Sequence, residues 1–481
     1  MKNINNLLFR GTLAARRLSC GVTAALAVLV VLAPLHAAAQ PRQWTLRECC
    51  DYAVAHNLGI RQQENRQRQQ ELQLSTARNS RLPDLNGTVG QNFSFGRGLT
   101  ADNTYTNTNT SSTSFSLGAS LPLFTGFQIP NQIKLNELNL EALTQDLEKA
   151  KNDVRMQVAQ AYVQILYNME ISAVARRQIG IDSMQVVRLQ AMVDNGKASV
   201  AQLSQQQASL AQSRLTATQA DNNLALSLLT MTQLLELPTA EGFAVAPFLN
   251  EELRMKNEES AAAPCPAGSL CSGAAAAPGS PVPSAEAIYA EALSVKPEIA
   301  AQQLRLRATD HNIRIAQAGY MPTLSLSGGL GSNYYTNSEF SSDGFGRQLK
   351  NNFSQYVGLN LNIPIFNRFQ TRNSVRNARI EQQTQQIALD NAKKTLYKEI
   401  QQVCLNHAAA QTKLESSTAA VKSSEDAFTL MQAKYENGKA SITEFNEAKN
   451  NYLRAESDRV QARYELLYQE ALVRFYRGQP F

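Results

Sequence analysis

The chain contains the stretch DNGKASV at residues 194–200, and the stretch ENGKASI follows at residues 436–442, an offset of 242 residues. Two further pairs of segments recur in the same order at nearly the same offset: LPLF (121–124) with IPIF (363–366), and ARNSRLPDL (77–85) with AQAGYMPTL (316–324). Matches that keep one order and nearly one spacing indicate an internal duplication. The sequence therefore predicts two structurally equivalent halves.

Each half has the same predicted order of elements, a helix followed by two strands and two longer helices. The opening helices are predicted at about residues 45–80 and 284–319, each ending shortly before a proline. Residues 115–123 and 357–365 alternate apolar with small or polar residues, which is the period-two pattern of a strand with one apolar face. The four strands are expected within residues 83–95, 115–124, 322–334 and 353–366, with polar loops at 98–114 and 335–352.

The helices that follow the strands are predicted to be very long. No proline occurs within residues 131–237 or 367–479, and apolar residues recur every three or four positions from Leu140 to Ile165. A helix from residue 131 to 194 extends about 95 Å at 1.5 Å per residue. It is predicted to turn at Asn-Gly and run back, and a hairpin of that length must project from any compact domain.

Four strands are too few to form a closed sheet in a membrane. Hydrocarbon leaves the backbone groups of a free sheet edge without hydrogen-bond partners, so a membrane sheet must close on itself. Known membrane barrels begin at about eight strands. If these strands span a membrane, two, three or four copies of the chain must pool them.

The first 39 residues are typical of a cleavable secretory signal. They contain four cations and no acid, an apolar run from Val22 to Leu35, and an alanine-rich end at Ala39. The run is shorter than the roughly 20 residues that span a bilayer, which disfavours a membrane anchor. The predicted division of the chain is a signal peptide (1–39), a first repeat (40–250), an Ala/Pro/Gly/Ser-rich linker (251–283) and a second repeat (284–481).

The composition argues against several classes of function. Without the four cations of the signal, the formal net charge of +6 falls to about +2, which gives no basis for nucleic-acid binding. The histidines lie far apart without a ligand pattern, so we expect neither a metal site nor another cofactor. No Ser/His/Asp, Cys/His or phosphate-loop constellation predicts an enzyme. In an oxidising compartment Cys265 and Cys271 could close a local disulfide, and the sequence leaves that pairing open.

Together these features resemble the TolC-type outer-membrane efflux proteins. The signal, the helix opened by Trp44-Thr45-Leu46, the two helix–strand–strand–helix–helix halves and the Asn-Gly tips match that family over about residues 44–476. The resemblance implies a mainly α fold with a small β part. In it, a homotrimer pools twelve strands in one β-barrel in the outer membrane, continued by a long periplasmic α-helical barrel.

The same resemblance implies a function. It is that of a passive exit duct for efflux or type I secretion, not of an enzyme. The implied partners are an inner-membrane pump, a periplasmic adaptor and outer-membrane lipid. The sequence of a passive duct does not reveal which substrate or which pump class it serves.

The resemblance also assigns roles to residues at the two tips. It implies a pore constriction formed by Glu444, Glu447, Tyr435 and Gln202. It implies contact with the adaptor by ten residues, Asp194, Asn195, Gly196, Lys197, Ser199, Glu436, Asn437, Gly438, Lys439 and Ser441. Relatives often carry an acid where this chain has Gln202, and some carry an arginine where it has Ala440. The locking network is therefore expected to differ in detail.

Other readings of these residues stay open. The Asn-Gly segments have ordinary turn chemistry, and the two glutamates are also what a solvated helix face would carry. For the whole chain the alternatives are a secreted or periplasmic coiled-coil structural protein and a periplasmic binding or catalytic protein. The first would not need alternating strands, and the second would need convergent polar residues.

Overall fold

The computed structural model describes residues 43–99, 103–239, 242–246, 284–338 and 341–479. The predicted signal peptide (1–39) and the predicted linker (251–283), with Cys265 and Cys271, lie outside the described residues.

The described part of the chain confirms the duplication. Its helices are α1 (Leu46–His56), α2 (Leu58–Asn79), α3 (Gln128–Asp194), α4 (Val200–Leu234), α5 (Ala285–Val295), α6 (Pro297–Ala318), α7 (Phe345–Asn351), α8 (Gln370–Glu436) and α9 (Ile442–Tyr476). Its strands are β1 (Gln43–Trp44), β2 (Asp84–Leu99), β3 (Tyr105–Phe124), β4 (Ala244–Val245), β5 (Thr323–Asn337) and β6 (Ser354–Asn362). The long helices α3 and α8 contain 67 residues each, and α4 and α9 contain 35 each.

The prediction of one opening helix in each half is wrong, because both helices are interrupted. Asn57 has extended dihedral angles, and its side-chain oxygen accepts from the N–H groups of Gly59 and Ile60 at 2.8 and 3.2 Å. It thereby ends α1 and caps α2. In the second half Lys296 is extended because Pro297 follows it, and Pro297 begins α6.

The two loops were predicted too long. β2 and β3 pair continuously from Asp84–Ser120 to Leu99–Tyr105, so most of residues 98–114 belongs to strands. Side chains that are polar on both faces give no period-two signal there, yet every step of the ladder still pairs backbone groups. Within 335–352, β5 continues to Asn337 and α7 occupies Phe345–Asn351. β6 (Ser354–Asn362) lies within the predicted segment 353–366.

The four long strands form one antiparallel sheet in the order β2-β3-β5-β6. One face carries exposed apolar side chains on both outer strands, among them Leu85, Val89, Phe93, Val357, Leu359 and Leu361. β2 and β6 each have one edge with no partner strand among the described residues. The sheet is therefore incomplete within one chain.

A tight turn joins each pair of strands to a long helix. Gly126 has φ 62°, and a Cβ atom there would lie 2.6 Å from Cβ of Met321, so only glycine fits. The next residue, Phe127, is also left-handed, and Arg368 and Phe369 repeat the conformation in the second half with φ 55° and 62°. α3 therefore starts shortly after β3 ends at Phe124, whereas residues 363–369 connect β6 to α8.

The Asn-Gly ends of the helical hairpins lie far from the sheet. A helix of 67 residues rises about 100 Å. One apolar core packs α1 on α3 and α4, with Val158 and Met231 fully buried, and a second packs α5 on α8 and α9 around Ile288 and Leu396. No helix in the described ranges is both long enough and apolar enough to cross a membrane.

Candidate functional site

The two hairpin tips have the same backbone geometry. In the first tip (residues 194–199) Gly196 has φ 68°, its N–H donates to the carbonyl of Val193 at 2.9 Å, and the N–H of Lys197 donates to that of Met192 at 2.7 Å. These two bonds define the Schellman motif, which needs a left-handed residue after the helix. Gly438, with φ 73°, occupies the same position in the second tip (residues 436–441).

Each return helix begins with a capping box. The N–H of Gln202 donates to Oγ of Ser199 at 3.3 Å, and Oε1 of Gln202 accepts from the N–H of Ser199 at 3.2 Å. Ser441 and Glu444 repeat the arrangement, and Oε2 of Glu444 accepts from both the N–H and the hydroxyl of Ser441, at 2.7 and 2.9 Å. These bonds lower the pKa of Glu444 below its ordinary value, so the carboxyl is ionised at neutral pH.

The ten residues predicted to contact an adaptor are all exposed at the tips. They are Asp194, Asn195, Gly196, Lys197, Ser199, Glu436, Asn437, Gly438, Lys439 and Ser441. Glu444 and Glu447 are also exposed, and both line one open cavity of about 470 Å³ together with Ser424 and Met431 of α8. Neither glutamate forms an ion pair with any residue that the structure describes. No group of residues suited to holding a metal ion occurs in the same described ranges.

Tyr435 lies where the two hairpins meet. Its ring stacks on Phe445 with centroids 5.0 Å apart, and the guanidinium of Arg188 lies 5.8 Å from its centroid. Burial raises the pKa of Tyr435, so its hydroxyl stays protonated. Arg188 also approaches Oε1 of Glu436 at 3.6 Å. Arg188 was not predictable from the local sequence, because its contacts belong to the other half of the chain.

A buried ion pair ties the same hairpins further from the tips. Asp182 of α3 and Lys449 of α9 have side chains 0% and 1% exposed, and Nζ of Lys449 donates to Oδ1 of Asp182 at 2.5 Å. Asp182 also accepts from Gln178, Gln206 and Ser213 at 2.8, 3.2 and 2.5 Å. Hydrogen bonds thus surround the buried carboxylate, as a buried charge requires. The pair was not predictable from a local pattern in the sequence, because its members lie 267 residues apart.

Charged and apolar contacts together join α3 to α9 over several turns. Further from the tips than the Asp182–Lys449 pair, Nη2 of Arg177 donates to Oε1 of Glu456 at 2.7 Å. Closer to the tips, Leu189 and Phe445 belong to one buried apolar cluster with residues of both hairpins. We call this contact between α3 and α9 the intrachain seam. It holds the two tips of one chain together.

Comparison with known proteins identifies the family. Residues 50–236 and 288–479 match the model of the family described as "Outer membrane efflux protein". The chain therefore belongs to the outer membrane efflux protein family, a family of channels of the outer membrane. Both repeats are matched separately, in agreement with the duplication. The alternative of a coiled-coil structural protein is wrong.

Individual proteins also resemble this chain in sequence or in fold. The chain is similar to Protein CyaE of Bordetella pertussis, with 29% identity over 159 residues, and that segment spans only 32% of this relative. The fold resembles that of the outer membrane protein VceC of Vibrio cholerae (TM-score 0.68, 16% identity, 91% of this chain and 96% of that one). It also resembles the open state of the Neisseria gonorrhoeae MtrE outer membrane channel (TM-score 0.67, 17% identity, 90% and 88%).

The buried pair predicts a distinctive stability pattern. Asp182→Asn leaves Lys449 buried without its counter-ion, and should lower the free energy of unfolding by about 3–5 kcal/mol. Asp182→Asn combined with Lys449→Gln removes both charges and should cost less than the single change. Thermal unfolding of the detergent-solubilised protein measures both. Lys149→Gln breaks the exposed Lys149–Asp153 pair and is the control, expected to cost at most about 1 kcal/mol. A double variant less stable than the single variant would contradict this account.

Proposed function

We propose that three copies of this chain form an exit duct across the outer membrane and periplasm. The duct conducts substrates that an inner-membrane pump delivers, and a periplasmic adaptor joins duct and pump at the exposed tips. One observation carries the proposal: an antiparallel sheet with two open edges lies at one end of helical hairpins about 100 Å long. Family membership supports it.

The strand order supports closure between copies. Each of the pairs β2–β3, β3–β5 and β5–β6 is antiparallel, so β2 and β6 also run in opposite directions. β6 of one copy can therefore pair with β2 of the next and continue the antiparallel order. Two copies would supply eight strands, and side chains fill the interior of a barrel of that size. Three copies supply twelve and leave room for a channel, which agrees with the trimer that the family resemblance implies.

The assembly can be tested on the purified full chain in mild detergent. We expect chemical crosslinking to trap a species with the mass of three chains, because only associated copies satisfy the edges of β2 and β6. Unfolding in denaturant before crosslinking is the control and should give single chains. A native sample that crosslinks only as a monomer or a dimer would refute the trimer.

Glu444 and Glu447 are proposed to line the periplasmic mouth. They lie three positions apart on α9, so their side chains share one face of the helix, and both are exposed. In a threefold assembly each becomes a ring of three carboxylates. Such rings attract cations, and the three carboxylates of one ring repel one another when the mouth narrows.

We predict that Glu444→Ala with Glu447→Ala raises single-channel conductance in planar bilayers roughly twofold and weakens cation selectivity. Multivalent cations added on the periplasmic side should block the wild type. They should block the double variant much less. The control removes two exposed acids of α8 near the sheet, Glu381→Ala with Asp390→Ala. If the two double variants conduct alike, the glutamates are ordinary solvated residues.

The duplication further suggests where the mouth opens. In a ring of three copies, each contact of α3 with α9 inside one chain has a counterpart between α8 of one copy and α4 of the next, 242 residues along the sequence. The pairs Arg177–Glu456 and Asp182–Lys449 of the intrachain seam correspond there to Ala419 with Arg214 and Ser424 with Gln207. The Arg188–Glu436 pair, which joins α3 to α8 beside the seam, corresponds to Leu430 of α8 with Asp194 at the end of α3 of the next copy. No counterpart pair joins opposite charges. We propose that the tips of one chain move as a unit and that opening occurs between copies.

Leu430→Arg tests this proposal by placing the counterpart of Arg188 at the contact between copies. The new guanidinium should pair with the partner's Asp194, hold neighbouring tips together, and lower the open probability in planar bilayers roughly twofold or more. Adding Asp194→Asn should restore the wild-type value. Arg188→Leu, on the intrachain seam, should not reproduce the closed behaviour. An open probability unchanged by Leu430→Arg would place the opening elsewhere.

A further inference from the structure

An open cavity of about 460 Å³ lies where the helices of the second repeat meet the sheet. Arg372, Arg376 and Arg379 of α8 form one wall, and Gln317, Tyr320 and Met321 at the end of α6 form the other. The arginines are spaced four and three residues apart, so their side chains lie on one face of the helix. The cavity thus presents three guanidinium groups to one space.

Hydrogen bonds fix the two walls relative to each other. The hydroxyl of Thr371 donates to the carbonyl of Gly319 at 3.3 Å, and Nδ2 of Asn367 donates to the same hydroxyl. A Cβ atom on Gly319 would lie 3.0 Å from the side chain of Thr371, so the end of α6 closely approaches the start of α8. The cavity is therefore part of the folded chain and not a gap between loose elements.

The positive charge in this cavity has no counter-ion. Among the described residues, none of the three arginines forms an ion pair. Arg372 lies in the first turn of α8, where the helix dipole favours anions, and no acid occurs in that turn. All three arginines are exposed, and like charges on one face of a helix repel one another, which an anion bound between them would relieve.

The first repeat shows what occupies the corresponding place there. Oε1 of Glu137 accepts from Nη2 of Arg78 at 3.0 Å, and Oε2 accepts from Nζ of Lys134 at 2.8 Å. The residues of the second repeat at these positions are Arg379 for Glu137, Arg376 for Lys134 and Gln317 for Arg78. The second repeat thus has the cation Arg379 in place of the carboxylate, and Gln317 in place of one of the two cations that the carboxylate joins. An external anion can take the place of the missing carboxylate.

The position of the cavity indicates which anion. The guanidinium of Arg372 lies 5.7 Å from the ring centroid of Phe369, and Phe369 lies 5.6 Å from Phe366. Exposed Phe366 and Ile365 follow β6 at the end of its apolar face. Girdles of aromatic residues flank the apolar band of membrane β-barrels at the level of the lipid headgroups. We propose that Arg372, Arg376 and Arg379 bind the phosphate of a phospholipid in the periplasmic leaflet of the outer membrane.

Each group has a defined role in this site. Guanidinium groups donate paired N–H bonds that match the oxygens of a phosphate. Tyr320 and Met321 line the part of the cavity that would contact the glycerol and the first methylenes of the acyl chains. The site goes beyond the duct function, because it concerns how the trimer is seated in the bilayer.

Native mass spectrometry of the full-length protein in detergent tests the site with three probes: dioleoylphosphatidylglycerol, dioleoylglycerol without a phosphate, and inorganic phosphate. We expect the phosphatidylglycerol to bind and the dioleoylglycerol not to. Arg376→Gln with Arg379→Gln should weaken phosphatidylglycerol binding on the order of tenfold. Arg379→Glu, which restores the pattern of the first repeat, should weaken it as well.

The matched control removes two exposed cations far from the cavity, Lys422→Gln with Arg454→Gln, and should bind phosphatidylglycerol like the wild type. Circular dichroism and the trimer mass establish that each variant is folded. Equal binding by the wild type and Arg379→Glu would overturn the site. Inorganic phosphate that binds as tightly as phosphatidylglycerol would show a soluble anion to be the ligand and would overturn the lipid assignment.

Discussion

The constraint on which the rest of the structure depends is that backbone groups in hydrocarbon need hydrogen-bond partners. Among the described residues, the sheet of four strands leaves one edge of β2 and one of β6 unpaired, and in the proposed trimer copies associate head to tail to satisfy both edges. Each long helix follows a strand, after the left-handed pair at Phe127 or Phe369. In the proposed trimer a ring of strands therefore continues as a ring of helices, and the pore follows from the closure of the sheet.

In the proposed trimer the duplication would make the ring nearly sixfold in geometry but not in chemistry. Features that each hairpin needs for its own folding are the same in both halves, such as the left-handed Gly196 and Gly438 and the capping serines Ser199 and Ser441. Contacts between hairpins differ, as Arg188 and its counterpart Leu430 show. The first group is fixed by local geometry. The second group distinguishes contacts inside a chain from contacts between copies, and it is free to acquire different functions.

Much of the fold was predictable because its signals are local. Missing prolines, apolar periodicity and Asn-Gly pairs determine where α3 and α8 run and where they turn. The part of β3 within residues 105–114 was not predicted, because Thr and Ser on both faces hide the alternation, although the backbone pairs regularly. The break at Asn57 depends on one side chain that caps the next helix. The positions of the tip residues were predictable, but the contact of Tyr435 with Arg188 joins different halves and leaves no local pattern.

The buried Asp182–Lys449 pair raises the question of why the intrachain seam is not simply apolar. Replacing a buried ion pair with packed apolar residues is often neutral or stabilising, so stability alone does not explain it. Helices as long as α3, with 67 residues, and α9, with 35, carry apolar residues at repeated spacings, so a displacement by one turn can bring similar apolar contacts together. A slip of one turn moves a tip by about 5.4 Å. It would also leave Asp182 and Lys449 buried and unpaired, which costs several kcal/mol by the same reasoning. We infer that the pair specifies the register of α9 on α3, and so aligns the two tips of each chain in one plane.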